Sequence, residues 1–484
     1  MIAFAWLIGL LGPPLATSVL ALADKRSDRV RSFAIAFAVI SCVAAGLVAF
    51  IPELSALRVD WPWHQSALLG PSLLRLSVLS QPLVALPPIL WLVTVAATPS
   101  TRLDRSGLAR TAIATAIGSL AFLSQSPLLL AGCWAASSGL FLSGISVCED
   151  RRAKRVLALY QLVGVLLLVV GILLATSAGD QRPLGLWLIM GAALVRKGIF
   201  PFHAWIPEAF DRTRIGPTVL FSAPQLGTYV AATLVLPHAP AAMLRIVAIL
   251  SLLTAVYGAA LALRQSDARR SLGYLFVSQS ALVLTGLDCT STDALTGALV
   301  LWISSALAFT GLARTVLALE ARRGRLKLTT YHGGFKQMPL LATSFLLFGL
   351  ACAGFPGTLG FIGQEMLIDG AVRSFPALGF LTIAAAAFTG LAVLRMYLSL
   401  FCGRSGTRSE LRLRWREAFI FGGIALLLVV SGLFPGSVVR SRRQASEELL
   451  PSRTPAAQHH RHTSTSPTTS SPRTVSAVNS SASF

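Results

Sequence analysis

Residues 194–210 read LVRKGIFPFHAWIPEAF, and this stretch decides the fold. It lies within an apolar run that begins near residue 184, yet it carries two adjacent cations, Arg196 and Lys197, and is punctuated by Gly198, Pro201 and Pro207. Proline inside a helix removes a backbone donor and clashes with the preceding turn, so a broken helix with carbonyls released from the ladder is expected. A Lys or Arg at the centre of a membrane helix costs on the order of 2.5–3.5 kcal/mol on insertion scales, and is tolerated where a partner or a wet cavity receives it. Irregular backbone at membrane depth obeys the same condition. A broken helix bearing buried cations is therefore the expected form of an ion site. The plainer alternative is a helix end from which both side chains snorkel to the interface.

The surrounding chain fits a membrane setting. It has 484 residues, of which 54% are hydrophobic and only 13% charged, against about a quarter charged in soluble domains. The formal charge of +21 sits largely as arginine in short loops between apolar runs. There it acts as a topology signal, which excludes a nucleic-acid footprint. The cysteines at 42, 133, 148, 289, 352 and 402 are scattered, with no CxxC and no grouping with histidine, so no iron–sulfur or zinc site is assigned. His459, His460 and His462 stand in a Ser/Thr/Pro-rich tract without carboxylate or cysteine support, and no metal is assigned there either.

About fourteen segments, from 2–22 to 416–437, have the roughly 17–25 apolar residues that cross a hydrocarbon core. The first resembles a signal peptide at Ala21 to Ala23, but Lys25 and Arg26 follow it rather than precede it, so it is read as a membrane helix. Basic loops follow the odd-numbered segments, among them Arg102 to Arg110, Arg212 to Arg214, Arg264 to Arg270 and Arg322 to Lys336. The intervening loops, such as Gln125 to Pro127, are nearly free of Lys and Arg. Basic loops in the cytoplasm of a cell inner membrane put both termini outside. The cluster Arg440, Arg442 and Arg443 departs from this alternation. Residues 443–484 turn to Ser, Thr, Pro and His, a composition expected to stay disordered.

The quoted stretch resembles the KxxxxPxHxWLPDA signature of the antiporter-like subunits shared by complex I, Mrp cation antiporters and membrane-bound hydrogenases, through Pro201, His203, Trp205, Pro207, Glu208 and Ala209. Further likenesses follow in the family's order. Gly216 and Pro217 open the next segment, Asp267, Arg269, Arg270, Leu272 and Tyr274 resemble its DLKRxLAY motif, and Gly333, Gly334, Met338 and Pro339 its GGLxxxMP loop. Gly354, Pro356, Gly360, Phe361 and Glu365 resemble its second broken helix, and Arg395, Tyr397, Phe401 and Gly403 its penultimate helix end.

The resemblance implies an all-α polytopic membrane protein with two inverted five-helix repeats, each holding a broken helix. Here these are N-terminal helices in 1–107, repeats in 108–236 and 243–402, and a C-terminal helix in 403–442. The two interruptions expected are Gly198 to Pro207 and Gly354 to Gly363. The resemblance also implies a chain of Glu, Lys and His groups passing protons across the membrane. This sequence departs from that chain. Ala135 follows Trp134 where the family has glutamate, and Arg196 takes the lysine position, with Lys197 one place later. Gln225, Gln279, Phe309 and Gln364 replace titratable residues. Glutamine binds water but does not titrate, and arginine stays charged, with a pKa above about 12. Lys197 is then the expected switching base, with His203 next and Glu365 as the acid. A structural role for His203 and a capping role for Glu365 are the alternatives. Glu208 and Asp211 are expected at a helix end, pairing with Arg212 or Arg214.

The function implied is that of a membrane subunit of a complex I type assembly, moving protons or monovalent cations as electrons pass from NADH to quinone. With no GxGxxG, cysteine cluster or paired axial histidines, NADH, flavin, iron–sulfur clusters and quinone are expected in partner subunits. The alternative is a noncatalytic scaffold of a cation antiporter, hydrogenase or inorganic-carbon uptake complex.

Overall fold

The structure is a computed structural model; it describes residues 2–23, 27–55, 57–60, 67–70, 72–98, 104–145, 150–177, 180–289, 291–374, 376–403 and 413–450. Lys25, Arg26, Cys148, much of the 404–416 loop and the histidines of the tail lie outside them.

Twelve helical spans among the described residues are long and apolar enough to cross a membrane. The helix Ala268–Asp288 and the broken pair Pro339–Ala353 and Leu359–Ser374 lie where the other two crossings were expected. Large apolar side chains such as Phe4, Leu22, Leu159, Phe380 and Phe419 are exposed on the outside. This is the arrangement of a protein whose solvent is lipid. At the centre runs Thr292–Arg323, 32 residues long and buried along nearly its whole length. The only described sheet is a two-residue antiparallel pair, Arg58–Val59 with Leu74–Arg75.

Both interruptions are built the same way. Arg182–Lys197 ends at Gly198 (φ 66°, ψ 41°) and Pro339–Ala353 ends at Gly354 (φ 77°, ψ 46°). At the first, Gly198 N–H donates to Val195 O and Ile199 N–H to Leu194 O. At the second, Gly354 N–H donates to Ala351 O and Phe355 N–H to Leu350 O. This is the Schellman pattern, which needs a left-handed residue that glycine adopts without a Cβ penalty. The break is therefore made by glycine, not by Pro201 as the sequence suggested.

The released carbonyls are satisfied within the protein. Trp205 Nε1 donates to Val195 O at 2.8 Å and Ser280 Oγ to Lys197 O at 2.8 Å. The first break also ends sooner than expected, because a helix resumes at Trp205–Arg212 with Pro207 in its first turn, where a missing N–H costs nothing. The second spans only 354–358, so Gly363 is helical.

Two features depart from the sequence reading. The eighth span is interrupted at Gln225, the only described non-glycine residue with positive φ (54°), and passes through a π-helical turn at Ala231–Val235. At the C-terminal end, Gly436–Leu449 forms a helix where disorder was expected from 443. Arg442 anchors it, donating to Leu79 O at 3.0 Å and Val78 O at 2.7 Å, and the Ser446 hydroxyl bonds Thr296 at 3.1 Å. The arginine cluster that broke the charge alternation thus includes a buried packing residue.

Candidate ion-handling site

Arg196 and Lys197 are both buried, at 8% and 2% exposure, so neither snorkels to an interface. They point to different neighbours. Arg196 turns toward Pro127–Gly144, where Nη1 and Nη2 donate to Ser138 Oγ and Ser137 Oγ, each at 2.9 Å. Its guanidinium carbon lies 4.7 Å from the Trp134 ring centre and 3.9 Å from that of Phe221. Ring faces carry negative potential and accept a weakly hydrated guanidinium well. Ser138 in turn donates to Gln161 Oε1 at 3.2 Å. Arg196 is thus held by two hydroxyls and two ring faces, on the wall of the bundle that carries Trp134.

Lys197 turns inward. Its Nζ donates to Gln225 Oε1 at 2.8 Å and to Thr228 Oγ1. Gln225 Nε2 donates to Ser305 Oγ at 3.1 Å, and Ser305 to Trp302 O at 3.1 Å. Trp302 Nε1 caps Pro224 O at 3.0 Å, which ties the central helix to the break at Gln225. A left-handed non-glycine residue costs on the order of 1–3 kcal/mol and persists where its surroundings over-determine it. Here the side chain explains the choice: glycine would remove the strain and with it the amide that joins Lys197 to Ser305.

A series of cavities reaches this lysine. One of about 340 Å³ opens among Thr111, Gly144, Arg214 and Pro217 at the basic-loop end of the bundle. One of about 60 Å³ shares Thr111, Gly144 and Pro217 with it and extends to Ser137 and Arg196. A third, of about 10 Å³, shares Arg196 and Phe221 with the second and is bounded by Lys197, Gln225 and Ser280. That last volume is close to what one water molecule needs.

Beyond Lys197 lie buried amides and hydroxyls, groups that bind water without titrating. Gln279 is buried with neither side-chain atom bonded among the described residues, and Ser278 Oγ, Ser304 Oγ and Gln364 Nε2 share that condition. Buried polar atoms are nearly always hydrogen-bonded to protein or ordered water, so these mark places where water belongs. Gln364 folds back over the second break, where its Oε1 occupies the space beside Gly354. Phe309 is packed into apolar company instead, tilted against Phe276 at 5.0 Å and edge-on to Phe210 at 5.5 Å between ring centres.

Two expected members lie elsewhere. His203 is turned away from the axis, packed against Phe200 and Tyr257 with ring centres 5.9 and 5.2 Å away, and its Nδ1 has no hydrogen-bond partner among the described residues. Glu365 is exposed on the outer face of Leu359–Ser374. Neither joins the Lys197 network. Glu208 and Asp211 do sit at a helix end: Arg212 pairs with both, while Asp211 also pairs with Arg325, and Arg214 pairs with Asp104 instead. The sequence reading missed Ser137, Ser138, Thr228 and Ser305, because a hydroxyl in an apolar run carries no distinctive pattern. It also missed Arg314, whose charge inside the apolar run 293–319 was a usable signal. Among the described residues no group of three His, Cys, Asp or Glu side chains could hold a metal.

Interrupted helices that hold a buried lysine, amides and hydroxyls beside a series of cavities define a polytopic membrane protein with a polar interior. The chain belongs to the NADH:quinone oxidoreductase/Mrp antiporter transmembrane family, whose model matches residues 136–389, just over half of the chain. It is 27% identical over 274 residues to NADH-quinone oxidoreductase subunit M of Rickettsia bellii, covering 54% of this chain and 55% of that protein. It is 26% identical over 269 residues to F(420)H(2) dehydrogenase subunit M of Methanosarcina mazei, covering 54% of each. The matched part thus spans about half the length of these relatives. In fold it resembles a chain of respiratory complex I from Thermus thermophilus, with TM-score 0.84 at 21% identity, over 93% of this chain and 100% of that one.

Proposed function

We propose that this chain is a membrane subunit of a complex I type assembly and moves protons through Lys197. The observation that carries the reading is the series of cavities ending at a buried amine already bonded to Gln225. A proton arriving through water on the basic-loop side meets Arg196, a guanidinium and so a poor proton carrier, and then Lys197, a primary amine, the kind of group that can release and regain a proton. Gln225 accepts from the ammonium through Oε1 and donates through Nε2 to Ser305, so it holds the amine and orients water without taking a proton itself. Water bound at Gln279, Ser304 and Gln364 would continue the path toward the second break.

The electron transfer that drives this movement belongs to partner subunits, which would bind NADH, flavin, iron–sulfur clusters and quinone. The chain would lie in the cell inner membrane with its basic loops in the cytoplasm, beside other membrane subunits. Reconstitution of the assembled complex in proteoliposomes tests the reading. Lys197→Ala should abolish proton uptake while leaving electron transfer measurable, and uptake at the wild-type rate would refute a relay through this residue.

A second reading, a scaffold that has lost conduction, is favoured by one observation: Phe309 is packed among Phe210 and Phe276 where the family has a lysine. On that reading Lys197→Ala lowers complex stability and leaves proton uptake per electron unchanged.

A further inference from the structure

The central helix carries a cation that the path above does not use. Arg314 is fully buried, at 0% exposure. Its Nη2 donates to Thr94 Oγ1 at 2.5 Å and Nη1 to Thr98 Oγ1 at 3.4 Å, while Nε has no hydrogen-bond partner among the described residues. No described carboxylate pairs with it. The other arginines of its neighbourhood are balanced: Arg214 by Asp104 and Arg269 by Glu320 at 2.6 Å. A buried charge with no counter-charge is costly, and the usual remedy is a partner of opposite sign.

Arg314 forms part of the wall of the 340 Å³ cavity at the basic-loop end. Gly216 lies over its guanidinium: a Cβ there would stand 3.1 Å from both Nη atoms, so the missing side chain keeps the face of the cation open. Arg212, Arg214 and Arg269 line the same space with one carboxylate, Asp104, which Arg214 already pairs, and Val95, Leu108 and Ile215 give it apolar walls. The cavity is far larger than a single ion requires and combines a cationic floor with apolar sides. A guanidinium matches the oxygens of a phosphate in a two-point fork, and basic pockets between membrane helices suit anionic headgroups.

We propose that this cavity binds a phosphate group on Arg314, supplied either by the headgroup of an anionic phospholipid or by free phosphate. The inference concerns binding and not conduction, although this cavity is also the first of the series that reaches Lys197.

The test uses the purified complex containing the full chain, held in a maltoside detergent that carries no phosphate. Thermal denaturation is followed during titration with inorganic phosphate against chloride at equal ionic strength, and separately with phosphatidylglycerol. The wild type should be stabilised, and Arg314→Gln should need about tenfold more ligand for the same shift, the size expected on losing a charge-assisted hydrogen bond. Gly216→Ala, which crowds the guanidinium and keeps its charge, should weaken the response in the same direction, and it carries the test if Arg314→Gln fails to assemble. A response to phosphatidylglycerol alone identifies a lipid source, and a response to inorganic phosphate a free ion; both uphold the site. No stabilisation of the wild type, or the same titration curve in the wild type and in every variant that assembles, overturns it.

Discussion

Lys197 is a primary amine held in the interior by an amide and a hydroxyl. Its Nζ donates to Gln225 Oε1 at 2.8 Å and to Thr228 Oγ1, and an amine, unlike a guanidinium, is a group that can exchange its proton. Lys197→Arg should therefore assemble and fail to conduct, because a guanidinium keeps its proton; dye-monitored acidification of vesicles would read this as a loss of at least about 100-fold, the scale of a lost general base. Gln225→Leu removes the acceptor and leaves the ammonium under-bonded, at a cost of about 1–3 kcal/mol read as a lower denaturation midpoint. Glu365→Gln should leave acidification unchanged, since the carboxylate faces outward. The sequence made Lys197 and Gln225 legible, because a cation and a glutamine in apolar runs demand an account. It could not tell that His203 and Glu365 turn away, since the direction of a side chain beside a break depends on how the next helix restarts.

At the scale of elements, the two breaks are the same device used twice, and each tolerates only glycine. At Gly198 an added Cβ would stand 2.4 Å from Ile206 Cδ1, and at Gly354 it would stand 1.8 Å from Gln364 Oε1. Gly198→Ala and Gly354→Ala should each destabilise by at least about 1 kcal/mol, the penalty of a Cβ in the left-handed region. Gly354→Ala should in addition expel the Gln364 side chain, which solvent exchange at that amide would report. Glycine and proline marked both interruptions in the sequence, but proline drew the attention that belonged to glycine. The break at Gln225 left no comparable mark, because its cause is tertiary: Trp302 reaching Pro224 and Ser305 reaching the amide. The Gly436–Leu449 helix was hidden for a related reason, since its anchor, Arg442, reads in sequence as one more surface charge.

For the molecule as a whole, the apolar runs made the membrane fold and the number of crossings legible, whereas the cavities that connect them depend on packing between helices distant in sequence. Charges at the basic-loop end fasten those helices together. Burial alone would raise the Asp104 carboxyl, but the hydrogen bond from Ser106 and the charges of Arg214 and Arg110 outweigh it and hold the group below the usual range. A depressed carboxylate contributes stability above the unfolded value of about 3.9 and loses it as the pH falls through its lower folded value. Midpoints measured between about pH 5 and pH 3 should fall more steeply for the wild type than for Asp104→Asn, which has no carboxylate left to protonate.

The divergence of Arg196 and Lys197 also bears on how such a chain can change without losing its amine. One residue along a helix is a turn of about 100° and a rise of 1.5 Å. The basic residue expected five places before Pro201 is present as Arg196, and the amine one position later faces a different wall of the bundle. Exchanging the two side chains, Arg196→Lys with Lys197→Arg, keeps composition and total charge fixed while rotating the amine back toward Ser137 and Ser138. The fold has thereby turned a change of chemistry into a change of direction, and that exchange is the means of separating the two.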